Sequence, residues 1–127
     1  MRALTDLLLP HRCPCGAAAG DLPGVPGAAV CAGCGPTLVG GPVLQVRPYP
    51  RPPGLPPCSA AAAYAGGTRR CLIAYKERGR RDLAPILALA LLRVLRELEP
   101  SASASVLLVP VPASRAALRA RGFDHVA

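Results

Sequence analysis

The chain has no tryptophan, one phenylalanine and three tyrosines in 127 residues. Proteins that hold single-stranded nucleic acid interleave cations with aromatic stacking platforms, and that pattern is missing here. Acidic residues are also scarce. Seven Asp and Glu face fifteen Lys and Arg, leaving a formal charge of +8, and Lys76 is the sole lysine. Abundant Ala, Gly, Pro and Arg point to GC-rich codons, which account for the choice of Arg over Lys but not for the net sign. A basic excess suits nucleic acid, anionic lipid or phosphorylated ligands. Long apolar runs are absent as well. Leu7 to Leu9 is too short for the core of a secretion signal and is flanked by Asp6 and by Pro10-His11-Arg12. The longest apolar segment, Leu83 to Leu92, runs into Arg93, Arg96, Glu97 and Glu99, too soon to span a bilayer. The expectation is a cytoplasmic protein without membrane insertion, in whose reducing surroundings clustered cysteines serve as metal ligands rather than disulfides.

What the chain does have is unevenly spread. Most of its sixteen prolines and thirteen glycines precede residue 60, and the Leu/Ala-rich periodic segments follow it. This shift places a boundary near Pro57, between a cysteine-rich module with a Pro-rich linker over residues 1–57 and an α/β segment over 58–127.

Cys13-Pro-Cys15-Gly and Cys31-Ala-Gly-Cys34-Gly are two knuckle-like pairs. Four thiolates close a tetrahedral zinc site, and Gly16 and Gly35 permit the tight turns that aim backbone N–H groups at the sulfurs. A closed site is structural, because no ligand position stays open. The first pair is C-x-C, a tighter chelate than C-x-x-C, and three readings stand: all four cysteines bind Zn2+, His11 replaces one of the first pair, or the site is metal-free. Cys58 and Cys71 stand alone and read as small buried hydrophobes, with a reactive thiol at Cys71 beside Arg69 and Arg70 as the alternative.

Gly40 to Pro57 holds seven prolines and reads as a linker with one short strand at Val43 to Val46. Ser59 to Tyr64 suggests another strand. Gly66-Gly67-Thr68 supplies a turn with Thr68 as N-cap of a helix carrying Leu72, Ile73 and Lys76, and Gly79 ends it. Asp82 is an N-cap candidate for a second helix, with Pro85 in its first turn. Leu83, Ile86, Leu87, Ala90, Leu91, Val94 and Leu98 recur at helical spacing until Pro100. Val106 to Val109 reads as a buried parallel strand reached by a right-handed crossover. Lys76, Arg78, Arg80 and Arg81 form the densest charge cluster, more simply a solvated turn than a ligand contact. His125 beside Asp124 reads as exposed and non-catalytic, as does His11.

Val106 to Asp124, VLLVPVPASRAALRARGFD, has the order strand, loop, helix with cations at the junction. Ligands of open α/β sheets bind beyond the carboxyl ends of strands, and helix starts favour anions, so a phosphate or pyrophosphate contact is expected near Val111 to Arg121. An ordinary strand-to-helix connection with solvated arginines explains the segment equally well.

Tyr64-Ala-Gly, Lys76-Glu-Arg-Gly-Arg-Arg, Val109-Pro-Val-Pro-Ala-Ser-Arg and Arg121-Gly-Phe-Asp-His, in this order after the cysteine pairs, resemble the competence-protein ComF family. The resemblance covers nearly the whole chain. It implies a zinc-ribbon-like module followed by the first part of a type I phosphoribosyltransferase-like parallel-sheet domain, an α/β fold. It further implies a pyrophosphate loop with Val111, Pro112, Ser114, Arg115 and Arg121 as substrate-binding residues, and one structural Zn2+ on Cys13, Cys15, Cys31 and Cys34. Arg119 would flank that loop. Phosphoribosyl pyrophosphate is the implied ligand of the full-length family, and competence-machinery proteins or nucleic acid are the implied partners. The family's adjacent acidic pair and Thr/Gly-rich 5-phosphate loop have no counterpart in this sequence. The chain therefore reads as truncated and inactive alone, with Mg2+ relevant only where the missing part is present. A zinc-ribbon adaptor for nucleic acid or a protein partner is the other reading.

Overall fold

A computed structural model describes residues 12–20, 22–23, 25, 27–98, 106–124 and 126. His11, Pro100, the connection 101–105 and His125 lie outside them. Among the described residues there are four α-helices and one two-stranded sheet. Helix α1 (Gly35–Val39) starts directly after Cys34 with Pro36 in its first turn. Strands β1 (Leu44–Val46) and β2 (Cys58–Ala60) follow, and then helices α2 (Gly66–Glu77) and α3 (Ala84–Glu97), linked through a 3-10 turn at Arg81–Leu83. Helix α4 (Arg115–Arg121) closes the sequence of elements.

The inward faces follow helical spacing. On α2 the buried residues are Gly67, Thr68, Cys71 and Ala74; on α3 they are Ile86, Ala90 and Val94. Leu83, Ile86, Val30 and Cys71 are the largest fully buried side chains. Burial of a Leu or Ile of this kind contributes about 1.5–3 kcal/mol relative to leaving it in water. The cluster draws Cys13, Val25, Ala28, Ala29, Val30, Cys34 and Leu38 from before Pro57, and Cys71, Ala74, Leu83 and Ile86 from after it. The compositional boundary thus does not interrupt the core.

Several local expectations hold. Gly79 takes φ +65° just past α2, where a left-handed residue ends a helix without strain. Pro85 sits in the first turn of α3. Cys71 is fully buried and Cys58 starts β2, half-buried. Others need correction. Residue Ala65, not Thr68, holds the N-cap position of α2; the Thr68 hydroxyl instead donates to the Thr37 carbonyl at 3.3 Å and ties α2 to α1. Leu72 and Ile73 are only half-buried, because the small residues Cys71 and Ala74 make the close contact. Residue Leu83, not Asp82, holds the N-cap position of α3. Asp82 lies inside the 3-10 turn and takes the Arg80 guanidinium in a fork, Nη2–Oδ2 2.7 Å and Nε–Oδ1 2.9 Å. Leu91 and Leu98 are 64% and 57% exposed, on the flank of the apolar stripe.

The sheet is the largest departure. β1 and β2 pair antiparallel, with Leu44 opposite Ala60, Gln45 opposite Ser59 and Val46 opposite Cys58. No parallel pair occurs among the described residues, and the expected strand over Ser59 to Tyr64 is confined to Cys58–Ala60. Val106 to Val109 is extended chain without strand pairing, and Leu107 and Val109 are 84% and 76% exposed. A parallel ladder needs a neighbouring backbone to complete its hydrogen bonds; none lies alongside among the described residues, so the expected crossover joins no pair of strands there. Leu108 instead lines a groove of about 610 Å³ with Pro85, Leu92 and Leu95 of α3.

Candidate metal centre

Two turns bring the cysteines together. In the first, Arg12 and Ala18 form an antiparallel bridge. Gly16 takes φ +96° and donates to the Cys13 carbonyl at 2.8 Å, and Cys13 N–H donates to Ala17 at 2.9 Å. This reversal turns Cys13 inward and leaves Cys15 outward. In the second turn, the Cys31 carbonyl accepts from the N–H groups of Cys34 at 3.0 Å and Gly35 at 2.9 Å, which starts α1. Gly35 has no room for a Cβ, which would overlap the side chain of Leu22. This close approach sets Leu22, which follows the first turn, against the start of α1.

The four sulfurs all lie within 4.8 Å of one another, and Cys15 Sγ to Cys31 Sγ is 3.6 Å. Zinc bonded to thiolates at about 2.3 Å in a tetrahedron sets its sulfurs about 3.8 Å apart. The set therefore fits a metal ion such as zinc. All four cysteines lie in the cluster, the C-x-C pair included; His11, the alternative ligand, lies outside the described residues.

The electrostatics divide the thiols. Hydrogen bonds from the backbone of Cys34, the side chain of Cys15 and the backbone of Gly33 hold the Cys31 thiol down at about 6. Burial pushes Cys34 up to about 12, against a hydrogen bond from Arg70 on α2, and burial likewise raises Cys13. A metal must displace the protons of these two inner thiols, so affinity rises with pH. The chemistry available to such a centre is structural: four sulfurs fill the coordination sphere and leave no position for a substrate.

Helix α2 is fitted to this centre. A Cβ at Gly67 would stand 3.1 Å from Cys34 Sγ and 2.8 Å from Thr37 Oγ1, so only glycine lets the helix lie against the knuckle. Thr37 Oγ1 donates to the Cys34 carbonyl at 2.7 Å, and Thr68 braces Thr37 from α2. Sequence reasoning passed over Thr37 and read Gly67 and Thr68 only as the turn and N-cap that open α2. The spacing of Gly67, Cys71 and Ala74 along one helical stripe was the available signal of a close-packed face.

The expected anion-binding segment is placed differently. Val111, Pro112, Ser114 and Arg115 are exposed. Ser114 caps α4, its Oγ accepting from Ala117 N–H at 3.2 Å, and Gly122 ends that helix at φ +70°. Arg121 is not free: it pairs with Glu77 of α2, Nη2–Oε1 3.0 Å and Nε–Oε2 3.2 Å. Beside it Phe123 lies under the Arg81 guanidinium, 4.6 Å from the ring centre, and meets Tyr75 edge-on at 5.9 Å. The segments 75–81 and 121–123 thus form one contact. Within the charge cluster Arg80 is neutralised by Asp82, while Lys76 and Arg78 face solvent. No helix among the described residues is long and apolar enough to cross a membrane. Compared with known proteins, the chain matches no family model, no curated protein and no solved structure.

Proposed function

We propose that the chain is a ComF-like, phosphoribosyltransferase-related protein of the cytoplasm whose N-terminal part is stapled by one structural zinc. The observation that carries the zinc is the convergence of Cys13, Cys15, Cys31 and Cys34 within 4.8 Å. The family reading rests on the order of the segments that resemble it. It draws support from the contact of two of them, 76–81 with 121–123, through Arg121–Glu77 and Arg81–Phe123. In this reading residues 110–114 form a pyrophosphate loop, where backbone N–H groups and Arg115 would stabilise the departing anion electrostatically. Arg121 reaches that anion only by leaving Glu77. Residues 1–127 contain no adjacent acidic pair to hold the ribose end of a donor, and transfer requires both ends in register. These residues alone are therefore expected to bind pyrophosphate weakly and to transfer nothing, and a role in DNA uptake belongs to the family proposal.

The test has two parts. Elemental analysis of chain purified without added metal is expected to find about one zinc per chain; less than a tenth of that sinks the site. Titration with pyrophosphate is expected to perturb residues 110–121, an effect lost in Arg115→Ala. Release of pyrophosphate from phosphoribosyl pyrophosphate by the isolated chain, abolished by Arg121→Ala, would contradict the reading. A nucleic-acid adaptor is the second possibility, favoured by the exposed Arg69, Arg70 and Arg78 on and just after α2. It predicts DNA binding that weakens by about one unit of log K per phosphate contact for each tenfold rise in salt.

A further inference from the structure

The four thiols divide into an inner and an outer pair. Cys13 and Cys34 are only 2% and 5% exposed, whereas Cys15 is exposed and Cys31 half-buried. The outer two come from opposite turns, with their Sγ atoms 3.6 Å apart. An oxidant dissolved in water can reach only this outer pair, and oxidation of thiolates follows access. We propose that Cys15 and Cys31 are an oxidation site, at which a hydroperoxide joins the two sulfurs and a metal held by all four is released. This rests on the metal-centre reading and adds which two ligands are surrendered, and to what class of reactant.

The reaction balances in two displacements. The Cys15 sulfur attacks one peroxide oxygen; an S–O bond forms, the O–O bond breaks, and the departing hydroxide takes a proton to become water. The product at Cys15 is a sulfenic acid. Cys31 then attacks Cys15 Sγ, forming the S–S bond and expelling a second hydroxide, which takes a second proton. Two thiolates lose two electrons between them, and hydrogen peroxide is reduced to two waters. The disulfide no longer serves as two thiolate ligands, and Cys13 with Cys34 cannot fill four positions. A dithiol reductant reverses the change. The remaining cysteines stand apart: Cys71 is fully buried on α2, and Cys58 on β2 bonds the Pro56 carbonyl.

The experiment uses the full chain, both zinc-loaded and stripped by chelator, treated with hydrogen peroxide. Free thiols are blocked with one mass tag, disulfides are reduced, and the sulfurs so released receive a second tag. Residues 13–46 contain no Lys or Arg, so trypsin leaves them whole and fragmentation in the mass spectrometer must locate the tags. The second tag is expected on Cys15 and Cys31 at roughly tenfold or more over Cys13 and Cys34, as the shielding of the inner pair requires. Zinc release should keep step with it and reverse on reduction. Cys15→Ser is expected to slow peroxide-driven zinc release about tenfold, with Cys58→Ser unchanged. If the chain holds no zinc yet the tag still falls on Cys15 and Cys31, the oxidation site stands and the metal reading fails. If zinc is bound but the second tag spreads evenly over the four cysteines, or never appears, the oxidation site is overturned and the metal reading survives. The labelling of the unmodified chain decides the matter even if Cys15→Ser does not fold.

Discussion

Arg121 lays its guanidinium along the carboxylate of Glu77, forty-four residues earlier, through two hydrogen bonds of 3.0 and 3.2 Å. The pair fastens α4 to the end of α2, with Phe123 held between Arg81 and Tyr75 beside it. Glu77 is half exposed, and an ion pair in such a setting contributes at most about 1 kcal/mol. Its effect is on position more than on global stability.

Glu77→Gln is accordingly expected to leave the unfolding midpoint nearly unchanged while speeding amide exchange of residues 115–121 about twofold to fivefold. Phe123→Ala, which removes the cation–π and edge-on contacts together, should speed it further. Exchange mass spectrometry reads both. Equal exchange in α4 for wild type and both variants would mean that this contact does not hold the helix.

Gly67→Ala tests the fit of α2 to the cysteine centre. Alanine in a helix is intrinsically better than glycine by about 1 kcal/mol, yet here its methyl would push on Cys34 Sγ and Thr37 Oγ1. The variant is expected to be less stable than wild type and to hold metal more weakly. Gly41→Ala, with nothing within 4 Å of the added carbon, should be close to neutral. A Gly67→Ala chain as stable as the wild type in urea would show that the two elements sit farther apart.

The Cys71 thiol gives stability a pH dependence. A thiol in an open chain ionises near 9.0, and burial pushes Cys71 up to about 11. Below pH 9 both states keep the proton and the contribution is whole. Between pH 9 and 11 the unfolded chain loses the proton while the native chain retains it, so stability declines with rising pH. Burial gives Cys34 the same sign, whereas Cys31, held down at about 6, is already ionised in the native chain while the unfolded thiol loses its proton only near 9.0, so it adds a rise in stability up to about pH 9 that fades above it. Urea midpoints from pH 9 to 11 are expected to fall, and to fall less steeply in Cys71→Ala. Parallel curves for the two chains would remove this account.

Withdrawal of metal should unfold the turns first. The part before Pro57 contributes Val25, Ala28, Ala29, Val30 and Leu38 to the core, too little apolar surface to order a loop-rich segment without a cross-link. A chelator is expected to lower the free energy of unfolding by about 4 kcal/mol if the ion had been present at a thousand times its Kd. Amide exchange should rise across residues 12–34 before it rises in α3. Calorimetry with and without chelator checks the magnitude, and a metal-independent transition would count against the centre.

Much of this was legible in the residues themselves. Cys13, Cys15, Cys31 and Cys34 announced a shared centre because glycines after each pair and the scarcity of other core material leave clustered thiols little else to do. The α3 helix was legible from its period, from Pro85 to Val94, and Gly79 marked the end of α2. These are short-range properties, set by spacing and by backbone preferences that do not depend on distant partners.

Tertiary structure decided the rest. Val106 to Val109 has the composition of a strand, but a strand exists only where a neighbouring backbone accepts its hydrogen bonds, and none lies beside it among the described residues. Thr68 has the side chain of an N-cap, yet the Thr37 carbonyl claims its hydroxyl. Arg121 looked available to an anion until Glu77 was brought against it. The division of the cysteines into an inner and an outer pair follows from how α1 and α2 cover one side of the centre, which no spacing in the chain records. Local sequence determined which groups could act, and packing between distant segments determined which of them are already engaged.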